Sequence, residues 1–196
     1  MYTFISGEDA FRSRRALKAL IAKLPSSAEI FYFDASIDDF VEDFFLRVEG
    51  NSLFGGTSVG VVYYPLSGKL QNAEAFFKRM HILASVSSEY VFWDGAFDSG
   101  DGKKSARGGS ASGGKKSAIS ADVWKKNAKR VFDFPLLKNS ELKKYIQRLG
   151  EEIGAVFSSG DIEMLAECFG GDLRAIMNEL EKAMLTGEFQ FKKQRA

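Results

Sequence analysis

The first stretch able to do chemistry is "GEDAFRSR" (Gly7–Arg14). It follows "YTFIS" (Tyr2–Ser6), an aromatic and β-branched run that predicts a strand. It opens a helical pattern from Asp9 to Leu24, with Ala10, Leu17, Leu20, Ile21 and Leu24 at helical spacing before Pro25. Strand, glycine and helix make the frame of a phosphate-binding loop, where backbone N–H groups and a lysine hold the phosphates. That chemistry needs G-x-x-x-x-G-K-[ST]. Here Arg12 stands at the second glycine, Ser13 at the lysine and Arg14 at the hydroxyl that ligates magnesium. Glu8 and Asp9 place negative charge where phosphate would lie. The expectation is a P-loop-like topology without a nucleotide cofactor.

Other chemistry-bearing residues fare no better. "GSASGGKK" (Gly109–Lys116) nearly spells the same motif, but Lys116 replaces the final hydroxyl residue and no strand directly precedes it. Asp94 in "YVFWDG" stands at a strand end, where a metal-positioning acid of an ATPase would stand, yet no second acid follows to orient water. His81 lies in a helical stretch without a Cys or acid at catalytic spacing and reads as a surface or partly buried histidine. Cys168, beside Phe169 on an apolar helix face, reads as a buried, inert thiol. One histidine and one cysteine are too few for a protein-only zinc site or a disulfide framework. No catalytic residue and no metal ligand is assigned.

The elements that must position these residues alternate. "EIFYFD" (Glu29–Asp34), "SVGVVYY" (Ser58–Tyr64) and "EYVFW" (Glu89–Trp93) predict further strands, and "KRVFDF" (Lys129–Phe134) a fifth, stopped by Pro135. Between them a helix capped by Ser36 carries Ile37, Phe40, Val41, Phe44, Phe45 and Val48 as one apolar stripe, with Gly50 as its stop. Further helices are expected over 70–84 and 122–128. Strands that read as continuous apolar runs and alternate with helices indicate an α/β fold with a parallel sheet covered on both faces. From Asn139 only helical patterns remain: 141–149 capped by Ser140, 161–169 ended by Gly170–Gly171, and 173–185 capped by Asp172, with Leu173, Ile176, Met177, Leu180 and Met184 on one face. The expected division is an α/β domain over 1–136 and a small all-helical domain over 137–196.

Composition bounds the class. The chain has 196 residues, 45% of them hydrophobic, with a formal net charge of +1, so nothing global favours nucleic acid or a membrane. No apolar run reaches membrane-spanning length, and the N-terminal apolar run is too short for a signal sequence. A cytoplasmic protein is expected. The Gly/Ser/Lys-rich stretch 99–120 lacks the apolar content to offset chain entropy and is expected to be disordered. Its Lys103, Lys104, Arg107, Lys115 and Lys116 are candidate contacts for a DNA backbone, with a solvated tether as the plainer reading.

One pair stands out. In "EGNSLFGGTSVGVVYY" (Glu49–Tyr64), Leu53 and Phe54 lie between polar residues and Gly55–Gly56, in what reads as a loop. Continued past Val48, the helical stripe reaches Ser52 and Gly55, so Leu53 and Phe54 fall off the core-facing side. Apolar residues on a loop tip are candidate partner contacts. Burying both against a partner is worth about 3–6 kcal/mol, from ~1.5–3 kcal/mol per large side chain. The competing reading folds the loop back and buries both in their own domain.

"YTFISGEDAFRSRRALKALI", "SLFGGTSVGVV", "VFDFPLLKNSELKKYI" and "GGDLRAIMNELEKAM" occur in this order, and together they resemble the delta subunit of bacterial DNA polymerase III, the clamp-loader subunit that opens the sliding clamp. The likeness spans most of residues 1–186; each motif alone is weak, and their order carries it. It implies an AAA+-like fold, a RecA-like α/β domain plus a helical lid, in a non-catalytic part of a DNA-directed DNA polymerase (nucleotidyltransferase) holoenzyme that neither binds nor hydrolyses ATP. It implies that Ser52, Leu53 and Phe54 contact the sliding clamp, the beta subunit. The other clamp-loader subunits, delta-prime and tau/gamma, are implied partners if a collar domain is supplied, with DNA reached indirectly. Two departures stand: the third, collar domain is absent, as in a shortened or naturally short member, and the insertion at 99–120 is long. The rival readings are an AAA+ ATPase, which the residues at 12–14 oppose, and a nucleic-acid-binding module using the basic insertion, which the flat net charge opposes.

Overall fold

A computed structural model describes residues 2–54, 58–68, 70–84, 88–95 and 121–187, with side chains described at all of these except 51–54, 70, 71 and 84. The chain divides into two compact units, Met1–Phe134 and Pro135–Ala196.

In the first unit, β1 (Tyr2–Gly7), β2 (Glu29–Asp34), β3 (Ser58–Tyr63), β4 (Glu89–Gly95) and β5 (Arg130–Asp133) form one parallel sheet in the order β2-β3-β4-β1-β5. From β1 the chain crosses to the far edge through α1 (Ala10–Ile21); every later crossover, through α2 (Phe40–Phe54), α3 (Leu70–Arg79) or α4 (Ala121–Asn127), returns the other way. Crossovers of one hand that run in opposite directions put their helices on opposite faces. The two apolar layers follow. Tyr2, Phe4, Val62, Tyr90 and Phe92 pack with Phe40, Phe44, Phe45, Phe76 and Trp124 on one face. Ile5, Val59, Val61, Val91 and Trp93 pack with Leu17 of α1 on the other. The first face is an aromatic cluster: the Phe44 ring lies within 5.0 Å of Phe33 and 4.9 Å of Phe76, and Phe76 stacks on Trp124 at 5.7 Å.

The helix expected from Ser36 starts later. Asp34 Oδ1 accepts from the Ser36 N–H at 2.8 Å and its hydroxyl at 2.6 Å, making a turn rather than a cap. The buried Asn72 amide takes the carbonyls of Ala35 at 3.0 Å and Ile37 at 2.8 Å, which a helix would need. Asp39, at φ 63°, then offers its carbonyl to Asp43 N–H at 3.1 Å, and Ile37 is left 60% exposed outside the stripe. The far end differs too. Gly50 does not stop the helix, whose backbone runs to Phe54. A glycine ends a helix when it turns left-handed, and Gly50 has no positive φ; inside a helix it costs only ~1 kcal/mol.

After α3 the chain tightens into a 3-10 turn, Met80–Ala84. The second unit holds α5 (Asn139–Glu152), α6 (Ser159–Phe169) and α7 (Leu173–Thr186) around Leu142, Ile146, Leu149, Leu165, Leu173, Ile176 and Leu180. Asp172 caps α7, accepting from Arg174 and Ala175 N–H at 3.1 and 3.0 Å. Ser140 caps nothing: α5 begins at Asn139 behind Lys138, one position earlier than a Ser140 cap requires. On α7 the small Ala183 is buried and Met184 is 51% exposed, so the inner face ends on alanine.

Candidate functional site

In a parallel sheet of this kind the site is expected beyond the carboxyl ends of the strands, where neighbouring crossovers leave in opposite directions. Here that point lies between β1 and β4, and the loop at its floor is Gly7–Asp9. Gly7 has φ 132°, and a Cβ there would stand 2.2 Å from the carbonyl oxygen of Phe134. That same carbonyl accepts from Asp9 N–H at 3.0 Å, while Phe134 N–H donates to Ser6 at 2.8 Å. The residue that follows β5, β1's edge-side neighbour, therefore binds the loop directly.

Asp9 then closes the start of α1. Its Oδ1 accepts from Arg12 N–H at 2.9 Å and its Oδ2 from Arg12 Nε at 2.6 Å, with Asp9 5% and Arg12 16% exposed. The guanidinium also lies 5.5 Å from the Phe134 ring centre. A phosphate bound at a helix N-terminus uses those N–H groups and the positive end of the helix dipole. Here the chain's own Asp9 carboxylate takes one of them, the Arg12 N–H, and sets its negative charge at that end of the dipole. Nucleoside triphosphate, the ligand implied by a loop in this position, does not fit the residues present.

Asp94 also turns inward. Its Oδ2 accepts from the N–H groups of Leu66 and, at 3.1 Å, Ser67, pinning the turn after β3 to the end of β4. Burial raises its carboxyl above the usual carboxylate range, and these donors partly reverse the rise. On the other side, Ser6 Oγ donates to Asp133 at 3.2 Å and Lys125 Nζ to the same carboxylate at 2.8 Å. The Lys125 hydrogen bond holds Asp133 below the usual range. Asp94 and Asp133 are thus strand-end clasps. Among the described residues no group of three His, Cys, Asp or Glu side chains could hold a metal ion, and no helix is long and apolar enough to cross a membrane. Cys168 is half-buried rather than buried, because α6 turns Ile162 and Leu165 inward instead.

The predicted contact residues Ser52, Leu53 and Phe54 belong to the last turn of α2 by backbone, not to a loop. Their side chains lie outside the described residues, as do Lys103, Lys104, Arg107, Lys115, Lys116 and the whole stretch expected to be disordered. One turn earlier, Leu46 is 72% exposed. With Gly50, Arg47 and Asp43 it faces Phe31, Tyr32 and Phe33 of edge strand β2 across an open groove of about 600 Å³. Arg47 lies 3.8 Å over the Phe31 ring and pairs with Glu29 at 3.2 Å. Sequence reading missed this groove, whose signal was Leu46 standing outside the apolar stripe. It also missed Phe134, and no local pattern ties that residue to Gly7.

Among solved structures, the chain is similar to the DNA clamp loader delta protein of Bacillus subtilis, at 12% identity and TM-score 0.50, over 96% of this chain and 54% of that one. It is similar to the replication initiator DnaA bound to AMPPCP and single-stranded DNA, at 14% identity and TM-score 0.55, over 99% and 58%. It is likewise similar to the Thermotoga maritima RuvB Holliday junction branch migration motor, at 9% identity and TM-score 0.55, over 93% and 54%. The fold is AAA+-like. The α/β sheet unit followed by helices is what these neighbours share, and this chain spans somewhat over half the length of each. No protein-family model and no curated protein matches the sequence.

Proposed function

We propose that this AAA+-like chain is a clamp-loader subunit of the delta type, which binds the sliding clamp and helps open it during DNA replication without using ATP itself. The observation that carries the reading is the start of α1, where the Asp9 carboxylate, paired with Arg12, takes a helix-end N–H that a phosphate would otherwise use. A subunit that works by binding rather than turnover has no use for that position. The similarity to a clamp loader delta protein supports the same reading, as does the ordered set of motifs that resembles that family.

The proposed clamp contact is Ser52, Leu53 and Phe54. Positions 46, 50 and 53 share one face of a helix by spacing, and Leu46 on that face is exposed while Phe44, Phe45 and Val48 are buried. The contact is therefore proposed as the apolar end of a helix rather than a loop tip. The mechanism is a population shift: a clamp ring exchanges between closed and cracked forms, and a protein with higher affinity for the cracked edge holds it open. The domains are proposed as a sheet domain to about residue 136 and a helical lid beyond it. Delta-prime and tau/gamma partners and a cytoplasmic setting belong to the same reading.

The test is a titration against the sliding clamp of the same organism, with wild type and with Leu53→Ala/Phe54→Ala, both checked by circular dichroism. Loss of about 3–6 kcal/mol, at least a hundredfold in affinity, is expected from the double variant. Equal binding by both would remove the pair from the interface, and no binding by wild type would sink the assignment. ATP turnover that is abolished by substitutions within Gly7–Arg14 would favour the ATPase reading instead.

A further inference from the structure

The two faces of the sheet are unequally covered. Among the described residues, three helices cover the aromatic face, while α1 alone spans the other from β1 to β2. A single twelve-residue helix leaves a strip open over β2 and β3. There the sheet carries Tyr32, 56% exposed, with its ring stacked on Tyr63 at 6.3 Å and 20° between planes. Tyr63 meets Trp93 edge-on at 5.7 Å, and Tyr64 meets Trp93 at 5.3 Å. These rings and the outer side of α1 enclose an open cleft of about 510 Å³.

The charges lining that cleft are of one sign. Arg14 and Lys18, one turn apart on α1, line it, and among the described residues no carboxylate does. Arg14 lies 5.4 Å over the Trp93 ring, and neither cation has an ion-pair partner among the described residues. Burial and the neighbouring Tyr32 and Tyr64 phenols raise the Tyr63 hydroxyl, while Arg14 pulls it back, so the three phenols and the guanidinium converge. The Nε1–H of Trp93, a residue 1% exposed that lines the cleft, has no hydrogen-bond acceptor among the described residues.

We propose that this cleft binds single-stranded nucleic acid, with a base stacked on Tyr32 and the adjoining phosphates held by Arg14 and Lys18. Aromatic platforms beside cations are the chemistry by which single strands are held without sequence preference. Proline-rich peptides also favour aromatic grooves, but phosphates complement two unpaired cations and a proline helix does not. The proposal uses neither the Asp9–Arg12 pair nor Ser52, Leu53 and Phe54, so it stands or falls apart from the clamp reading.

The experiment is fluorescence anisotropy of a fluorescein-labelled ten-nucleotide oligothymidylate titrated with the full chain, over a series of salt concentrations. Tyr32 is on an edge strand and exposed, so Tyr32→Ala leaves the fold intact, as circular dichroism would verify. The expected loss in affinity is about fivefold or more, the low end of measured base stacking, and Tyr32→Phe retains binding. Arg14→Gln/Lys18→Gln is expected to flatten the slope of log K against log salt by about 0.7 per cation removed. Replacement of Lys103, Lys104, Arg107, Lys115 and Lys116 by glutamine should leave the Tyr32 effect in place. The proposal is overturned if the oligonucleotide does not bind, if Tyr32→Ala binds like wild type, or if a proline-rich peptide binds and displaces the oligonucleotide at lower concentration.

Discussion

Asp9 and Arg12, three residues apart, complete the first turn of α1 with the turn's own side chains: one carboxylate oxygen takes the Arg12 backbone N–H at 2.9 Å and the other its Nε at 2.6 Å. Removal of the carboxylate takes away cap and ion pair together. Asp9→Ala is expected to destabilise the chain by about 2 kcal/mol, the upper end for a helix cap, because both partners are largely buried. Urea denaturation measures it. A variant as stable as wild type would show that the cap contributes nothing.

Gly7 meets two demands at once. Its φ of 132° is closed to residues with a Cβ, and the Cβ of an alanine would stand 2.2 Å from the Phe134 carbonyl oxygen. Gly7→Ala should cost more than about 2 kcal/mol, since backbone on both sides must move. The same denaturation experiment reads it, and the loss should exceed that of Gly50→Ala, where nothing lies within 4 Å and alanine favours the helix.

The two strand-end carboxylates respond to pH with opposite signs. Asp94 holds its proton more firmly folded than unfolded, so its contribution is full below the ordinary carboxylate range and is lost as pH rises through its folded pKa. Asp94→Asn keeps an acceptor for the Leu66 and Ser67 N–H groups and removes the charge. It should therefore gain stability relative to wild type as pH rises out of the ordinary carboxylate range and through the raised folded pKa of Asp94. Asp133 is held low by Lys125, so its contribution is lost as pH falls, and Asp133→Asn should lose most above the ordinary carboxylate range. The Asp133–Lys125 pair is half exposed and screened, so that effect is the smaller. Thermal melts across pH test both; curves parallel to wild type would remove the assignment.

The two sides of α2 should separate cleanly. Phe44 is fully buried among Phe33, Phe40, Phe45, Phe76 and Tyr90, and Phe44→Ala should cost about 3–5 kcal/mol. Leu46→Ala, at a 72% exposed position, should change stability by no more than about 0.5 kcal/mol. A large stability loss from Leu46→Ala would mean the groove beside it is filled by the chain itself.

The sheet was legible because each of its strands is a short apolar run bounded by turn residues, and all five lie within a residue or two of their expected places. The frame of strand, glycine and helix at Gly7 was legible too, because such a motif is local in sequence. The helix ends were less so. Ser36 looks like a cap until Asn72, far along the chain, claims the carbonyls of Ala35 and Ile37. Gly50 looks like a stop until its φ is known. The aromatic cleft was hidden altogether: Tyr32, Tyr63 and Trp93 come from three strands that only sheet register brings side by side.

The strand order has one further consequence. β1 leaves the ribosome before the other four strands of its sheet, yet its register partners are Tyr90–Gly95 on one side and Arg130–Asp133 on the other. β2 and β3, joined through α2, can pair long before either partner exists. β1, with Tyr2, Phe4 and Ile5 destined for the core, must therefore wait, apolar and unpaired, until β4 has been synthesised, and for its second partner until β5 follows. Long-range parallel pairing of this kind is slow and leaves apolar chain exposed to aggregation, so nascent-chain length, more than local propensity, governs when this protein becomes safe from its own core.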